Sequence, residues 1–177
     1  ANCGGCGSSG CAALAEAIVK GEAPANACRA GGAACAAKIG EIMGVTVTAQ
    51  EPVRARVLCS GDCGNAKKKC RYEGVQDCIA ADRMYGSDKA CAFGCMGLGT
   101  CADVCRYGAI SVQDGVAHVD PARCTGCGAC ASVCPKHLIA LIPATATQVV
   151  DCHSTDPGAA VRKVCDAGCI GCKICEK

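Results

Sequence analysis

Residues 124–135 read CTGCGACASVCP. Cys124, Cys127, Cys130 and Cys134 stand in C-x2-C-x2-C-x3-C-P spacing, the pattern of thiolates that hold [4Fe–4S] clusters. Two-residue loops let three thiolates converge on three corners of one cubane. Gly126 and Gly128 let the backbone wrap closely and aim amides at the sulfides. The fourth cysteine, followed by Pro135, points away and serves a second cluster. Structural zinc sites instead favour two C-x2-C pairs separated by a spacer, not a triplet plus C-P.

Such a run needs a partner, and one lies upstream in KACAFGCMGLGTCADVCRYGAI, residues 89–110. It carries Cys91, Cys95, Cys101 and Cys105. Between the two stretches, AISVQDGVAHVD (109–120) alternates around Asp114-Gly115, a hairpin signal. The whole reads as a two-cluster ferredoxin-like unit. Cys124, Cys127, Cys130 and Cys105 are expected to hold one cluster, and Cys95, Cys101, Cys134 and Cys91 the other. Arg106 stands where a proline is usual, and Leu98 where a middle ligand is usual.

Two more sets flank this unit. Cys3, Cys6, Cys11 and Cys28 put three close thiols on a Gly-rich loop and a fourth across a short helix. Cys165, Cys169, Cys172 and Cys175 end in another triplet, which a ferredoxin would continue past Lys177. Cys35, Cys59, Cys63, Cys70, Cys78 and Cys152 remain. They read either as buried free thiols, which pack as small hydrophobes, or, for Cys59, Cys63, Cys70 and Cys78, as ligands of a further cluster. A weak internal repeat aligns Val57-Leu58-Cys59-Ser60 and the later Cys91 and Cys95 with Val150-Asp151-Cys152-His153 and the later Cys165 and Cys169. It thereby pairs Cys59 with Cys152.

Composition agrees. The 177 residues hold 22 Cys, one Phe, three Tyr and no Trp. With few large side chains to fill a core, metal–thiolate bonds are expected to fill it and to tie segments together. A disulfide scaffold is the competing reading, but no signal peptide opens the chain and closely spaced triplets do not suit bridge geometry. A net charge of +2 points to no nucleic acid or other strongly charged partner. No apolar run is long enough to span a bilayer. Lys67, Lys68, Lys69 and Arg71 form a basic run, read as a solvated face or, more sharply, as a docking patch for an acidic electron donor. His118, His137 and His153 are scattered. No triad, phosphate loop or dinucleotide fingerprint is present, so bond-making catalysis is not expected of this chain.

The expected fold is a small, loop-rich α+β chain. Residues 1–44 form an N-terminal helical four-iron domain, with helices at Ala12–Lys20 and Ala33–Met43. Residues 45–90 form a linker with a strand broken at Pro52 and a helix near 75–85. Residues 91–143 form the two-cluster ferredoxin-like domain. Residues 144–177 open with an apolar strand-like stretch and start a second ferredoxin-like module.

Asn2-Cys3-Gly4-Gly5-Cys6-Gly7, Gly10-Cys11, the stretch Gly94–Cys101 and the stretch Gly168–Cys175 resemble the B subunit of the Rnf electron-transport complex, in its anaerobe-type members. The resemblance covers essentially the whole chain. It implies an iron–sulfur subunit carrying three to four or more [4Fe–4S] clusters, on the cytoplasmic face of the cell membrane. It implies soluble ferredoxin as donor and the membrane and flavin subunits of an ion-pumping ferredoxin:NAD oxidoreductase as partners. In that family a membrane helix precedes the first cysteine block and further ferredoxin motifs follow. Both ends of this chain therefore read as cut. The competing readings are a polyferredoxin-type subunit of a soluble redox enzyme, a corrinoid iron–sulfur protein with a similar opening domain, and a structural zinc protein.

Overall fold

The computed structural model describes residues 2–48 and 50–176. Its first helix, α1 (Cys11–Val19), uses the strong helix formers of AALAEAIV and buries Leu14 and Ile18. The Asn2 side chain accepts a 2.8 Å hydrogen bond from the Cys11 amide, satisfying one of the free donors at the helix start. α2 (Gly32–Met43) stops at Gly44, which takes a left-handed conformation (φ 67°) while the Val45 amide reaches back to the Gly40 carbonyl. That is a Schellman-type ending, which glycine adopts without Cβ strain.

The segment 45–90 supplies β1 (Val53–Val57) and α3 (Cys78–Met84). β1 is no free linker strand: it pairs antiparallel with β4 (Ile139–Pro143), Val53 opposite Pro143 and Val57 opposite Ile139. Asp77 caps α3 by accepting from the Ala80 amide at 2.7 Å. Between these paired strands in sequence lie α4 (Thr100–Asp103), the hairpin β2 (Ile110–Gln113) and β3 (Val116–Val119), and α5 (Ala129–Val133). Asp114 (φ 48°) and Gly115 (φ 75°) both have positive φ, as a two-residue type I′ turn requires. The hairpin therefore forms where the sequence placed it.

α4 and α5 lie against each other, α4 also on β2 and α5 on β4. The core joins Ala55 and Val57 of β1, Val116 and Ala117 of β3, and Ile139 of β4 to two cysteines, Cys101 and Cys130. Thiols thus stand where larger hydrophobic side chains would otherwise meet.

The strand-like stretch expected after residue 144 does not form. The chain turns at Pro143, where the Ala146 amide bonds back to the Pro143 carbonyl, and Cys152 and Cys165 then pair as isolated bridges, to Cys59 and Ala66. α6 (Gly158–Val164) follows and buries Val161. No helix among the described residues is long and apolar enough to cross a membrane.

Candidate metal centres

The loop of the 124–135 run is pressed under β1. A Cβ on Gly126 (φ 66°) would run into the Val53 carbonyl, so glycine is required there. The same approach lets the Ala55 amide donate to Cys124 Sγ at 3.3 Å. Cys130, buried on α5, is pushed up to about 11, first by burial and then by the Cys124 and Cys127 thiolates facing it. Cys105 Sγ accepts from the Ala109 amide at 3.3 Å.

The second group centres on Cys101 of α4. Its thiol is pushed up to about 12, by burial first and then by Cys95, Cys78 and Cys134. Cys78, which the sequence groups with Cys59, Cys63 and Cys70 instead, is a member of this group. It opens α3, and the Thr100 hydroxyl fixes it by accepting from the Cys78 amide at 2.7 Å while donating to Asp77 at 3.0 Å. Cys101 follows Thr100 directly, so these bonds set the two thiols side by side. Cys91, expected to complete this set, lies instead beside Cys59, Cys165 and Cys152.

In the N-terminal block, Cys28 is pushed up by burial and faces Cys35, Cys11 and Cys6. Cys35, unassigned by spacing, belongs to this neighbourhood: a Cβ on Gly31 would meet both Cys35 Sγ (2.8 Å) and Cys28 Sγ (3.2 Å). Cys3 is held below the ordinary thiol range by the Gly5 amide, with Tyr107 beside it. The loop sits directly on the 124–135 run, since a Cβ on Gly5 would clash with the Cys127 carbonyl.

At the other end, Cys169 accepts from the Gly171 amide at 3.5 Å, and Cys172 and Cys175 are exposed. Cys165, expected to join them, is buried near Cys59 and Cys152. Cys59, Cys63, Cys70 and Cys78, grouped by the sequence as one possible ligand set, have different neighbours in the fold. Cys59 lies with Cys91, Cys78 with Cys101, Cys70 beside Tyr85, and Cys63 under the hairpin turn at Gly115. In the basic run, Lys68 pairs with Asp88 (3.0 Å), Arg71 with Glu73 (3.0 Å), and Lys69 stands over the Tyr85 ring. His118, His137 and His153 are exposed.

A recurring feature tests whether these thiols suit iron–sulfur clusters. The amide two residues on points at the sulfur of Cys3, Cys59, Cys91, Cys95, Cys165 and Cys169. The amide four residues on does so at Cys105 and Cys134. Amides aimed at sulfur stabilise negative charge and set the potential of such clusters. The buried Tyr107 hydroxyl faces the Cys3 thiol and the Thr125 hydroxyl, with Cys127 close by. Hydroxyl donors beside thiols fit a sulfide-bearing group. Among the described residues no three of His, Cys, Asp and Glu close as tightly as a single metal ion needs.

Family models match in two places: residues 1–30 match the family described as "Putative Fe-S cluster", and residues 90–138 match a 4Fe-4S dicluster domain. The whole chain is 45% identical, over 178 residues, to the B subunit of an ion-translocating oxidoreductase complex of Methanosarcina acetivorans, covering 67% of that protein. The chain belongs to this B-subunit family. It is also 44% identical, over 96% of its length, to the B subunit of an Na(+)-translocating ferredoxin:NAD(+) oxidoreductase complex of Acetobacterium woodii. A proton-translocating counterpart from Clostridium ljungdahlii is 45% identical over 94% of the chain. The chain spans about half the length of the Acetobacterium protein (51%) and 60% of the Clostridium one. The resemblance read from the cysteine motifs thus leads to the family found by comparison.

Proposed function

We propose that this chain is the iron–sulfur relay of an ion-translocating ferredoxin:NAD oxidoreductase, taking electrons from soluble ferredoxin at the cytoplasmic face and passing them to membrane and flavin subunits. [4Fe–4S] clusters, when bound, supply one-electron uptake and release. In this reading Cys3, Cys6, Cys11 and Cys28 hold one cluster, and Cys105, Cys124, Cys127 and Cys130 a second. Cys95, Cys101 and Cys134 hold a third, with Cys78 as fourth ligand. Cys169, Cys172 and Cys175 begin a further one. Residues 1–44 serve as the N-terminal four-iron unit and 91–143 as the ferredoxin-like unit, with β1 buttressing it.

The observation that carries the reading is the seat of the first cysteine loop on the second, Gly5 against the Cys127 backbone. That contact leaves no intervening layer of protein between two neighbouring sets of thiols. The chain's own part is to hold the thiolates, exclude water from Cys101 and Cys130, and aim amides at sulfur.

Anaerobic purification followed by iron and acid-labile sulfide quantification tests it, with electron paramagnetic resonance of the reduced protein. The expected result is at least three four-iron centres whose spectra show mutual interaction. Zinc without labile sulfide would refute the reading.

A further inference from the structure

Four cysteines that no contiguous motif joins meet at one place. Cys59 follows β1, Cys91 precedes the 95–105 stretch, Cys152 lies beyond β4, and Cys165 ends α6. Cys59 and Cys152 face each other as an antiparallel bridge. A Cβ on Gly61 would lie 3.4 Å from Cys165 Sγ and 3.6 Å from Cys59 Sγ, so both sulfurs flank that point. All four cysteines line one cavity, together with Phe93, the only phenylalanine of the chain, and the buried Val161. Asp151 also lines it, but its carboxylate is engaged by Arg56.

The surroundings resemble those of the motif cysteines. Cys59 Sγ accepts from the Gly61 and Cys95 amides, both at 3.4 Å. Cys91 and Cys165 have the Phe93 and Ala167 amides in the same relation. Each opens a C-x-x-G-C turn in which the glycine amide bonds back to the cysteine carbonyl, Gly94 to Cys91 at 3.2 Å and Gly168 to Cys165 at 3.4 Å. The internal repeat supplies the logic. One copy contributes Cys59 and Cys91, the other Cys152 and Cys165, and the bridge between Cys59 and Cys152 joins equivalent positions. Two half-sites face each other across a shared cavity.

We propose that Cys59, Cys91, Cys152 and Cys165 together hold a further [4Fe–4S] cluster, seated between the two copies of the repeat. The proposal rests on the iron–sulfur reading above and extends it to thiols that spacing left unassigned or grouped differently. The site closes a circuit in the fold: it ties the segment after β4 to the segment after β1. It also stands next to the Cys95 group, because the Cys95 amide itself points at Cys59 Sγ.

The full chain, reconstituted anaerobically, carries the test. Cys152→Ser and Cys59→Ser are each expected to lose about four iron and about four labile sulfide per chain relative to wild type, while Cys70→Ser, beside Tyr85 and outside every proposed cluster, loses none. Independently, the loaded wild type is alkylated with iodoacetamide before and after iron chelation, and the labelled cysteines are mapped by mass spectrometry. Cys59, Cys91, Cys152 and Cys165 should be protected together and released together. This second measurement decides the matter if either variant fails to fold. Iron and sulfide unchanged in folded variants, free alkylation of these thiols in the loaded protein, or recovery of Cys59 and Cys152 as a disulfide would each overturn the proposal. A wild type without labile sulfide would instead overturn the broader reading, so the two failures are distinguishable.

Discussion

Lys89 is 2% exposed, and its ammonium donates to the Gly61 carbonyl at 2.6 Å and the Gly115 carbonyl at 2.7 Å. It therefore spans from the loop after Cys59 to the tip of the β2–β3 hairpin, and its charge is felt at Cys95. A buried cation is costly unless something nearby is negative. Thiolate-ligated clusters, which gain negative charge on reduction, would meet that condition. Lys89→Met removes the charge while keeping much of the aliphatic stem. A unit charge acting across roughly 8 Å at an effective dielectric of about 20 is worth about 2 kcal/mol, equivalent to about 90 mV for one electron. Because the cation favours the reduced form, its loss should lower the potential of the centres nearest Cys95 and Cys59. Some solvent screening would bring the observed fall to several tens of millivolts. Redox titration of the reconstituted protein, followed by electron paramagnetic resonance, reads this directly. The variant also leaves the buried Gly61 carbonyl without its donor, at about 1–3 kcal/mol, and the half-buried Gly115 carbonyl at less, partly offset by no longer burying a charge. Its melting temperature should fall too. A potential that stays put or rises would refute the reasoning, whatever happens to stability.

Gly5→Ala forces a methyl group into the Cys127 carbonyl, overpacking that typically costs about 1–3 kcal/mol. The N-terminal loop should lift from the 124–135 run, weakening the magnetic interaction between the first two centres while iron content stays the same. Cys78→Ser should remove about four iron per chain, since Cys78 faces Cys101; iron quantification showing no loss would return the fourth ligand to another residue.

What the sequence made legible was whatever is local. α1 and α2 rest on good helix formers and terminal glycines within one stretch. The hairpin follows from Asp114-Gly115, and the 124–135 loop from spacings of two and three residues. The rest depends on chain crossings that no short window contains. β1 finds its partner more than eighty residues away in β4. Cys78 reaches Cys101 only because Thr100 bonds both to its amide and to Asp77. Two distant groupings did leave a trace: Cys101 with Cys134, through the ferredoxin spacing, and Cys59 with Cys152, because the internal repeat placed them at equivalent positions before any strand had paired them.

The pairing of β1 with β4 also bears on how the protein can be dissected. The cysteine spacing invites a minimal fragment that starts at Cys91 and ends at Pro143. Such a fragment would strip the neighbour from Ile139-Ala140-Leu141-Ile142, baring an apolar strand edge of the kind that recruits other chains into aggregates. It would also withdraw Ala55 and Val57 from the core and the Ala55 amide from Cys124. Truncations meant to isolate the dicluster unit therefore need to begin ahead of Val53.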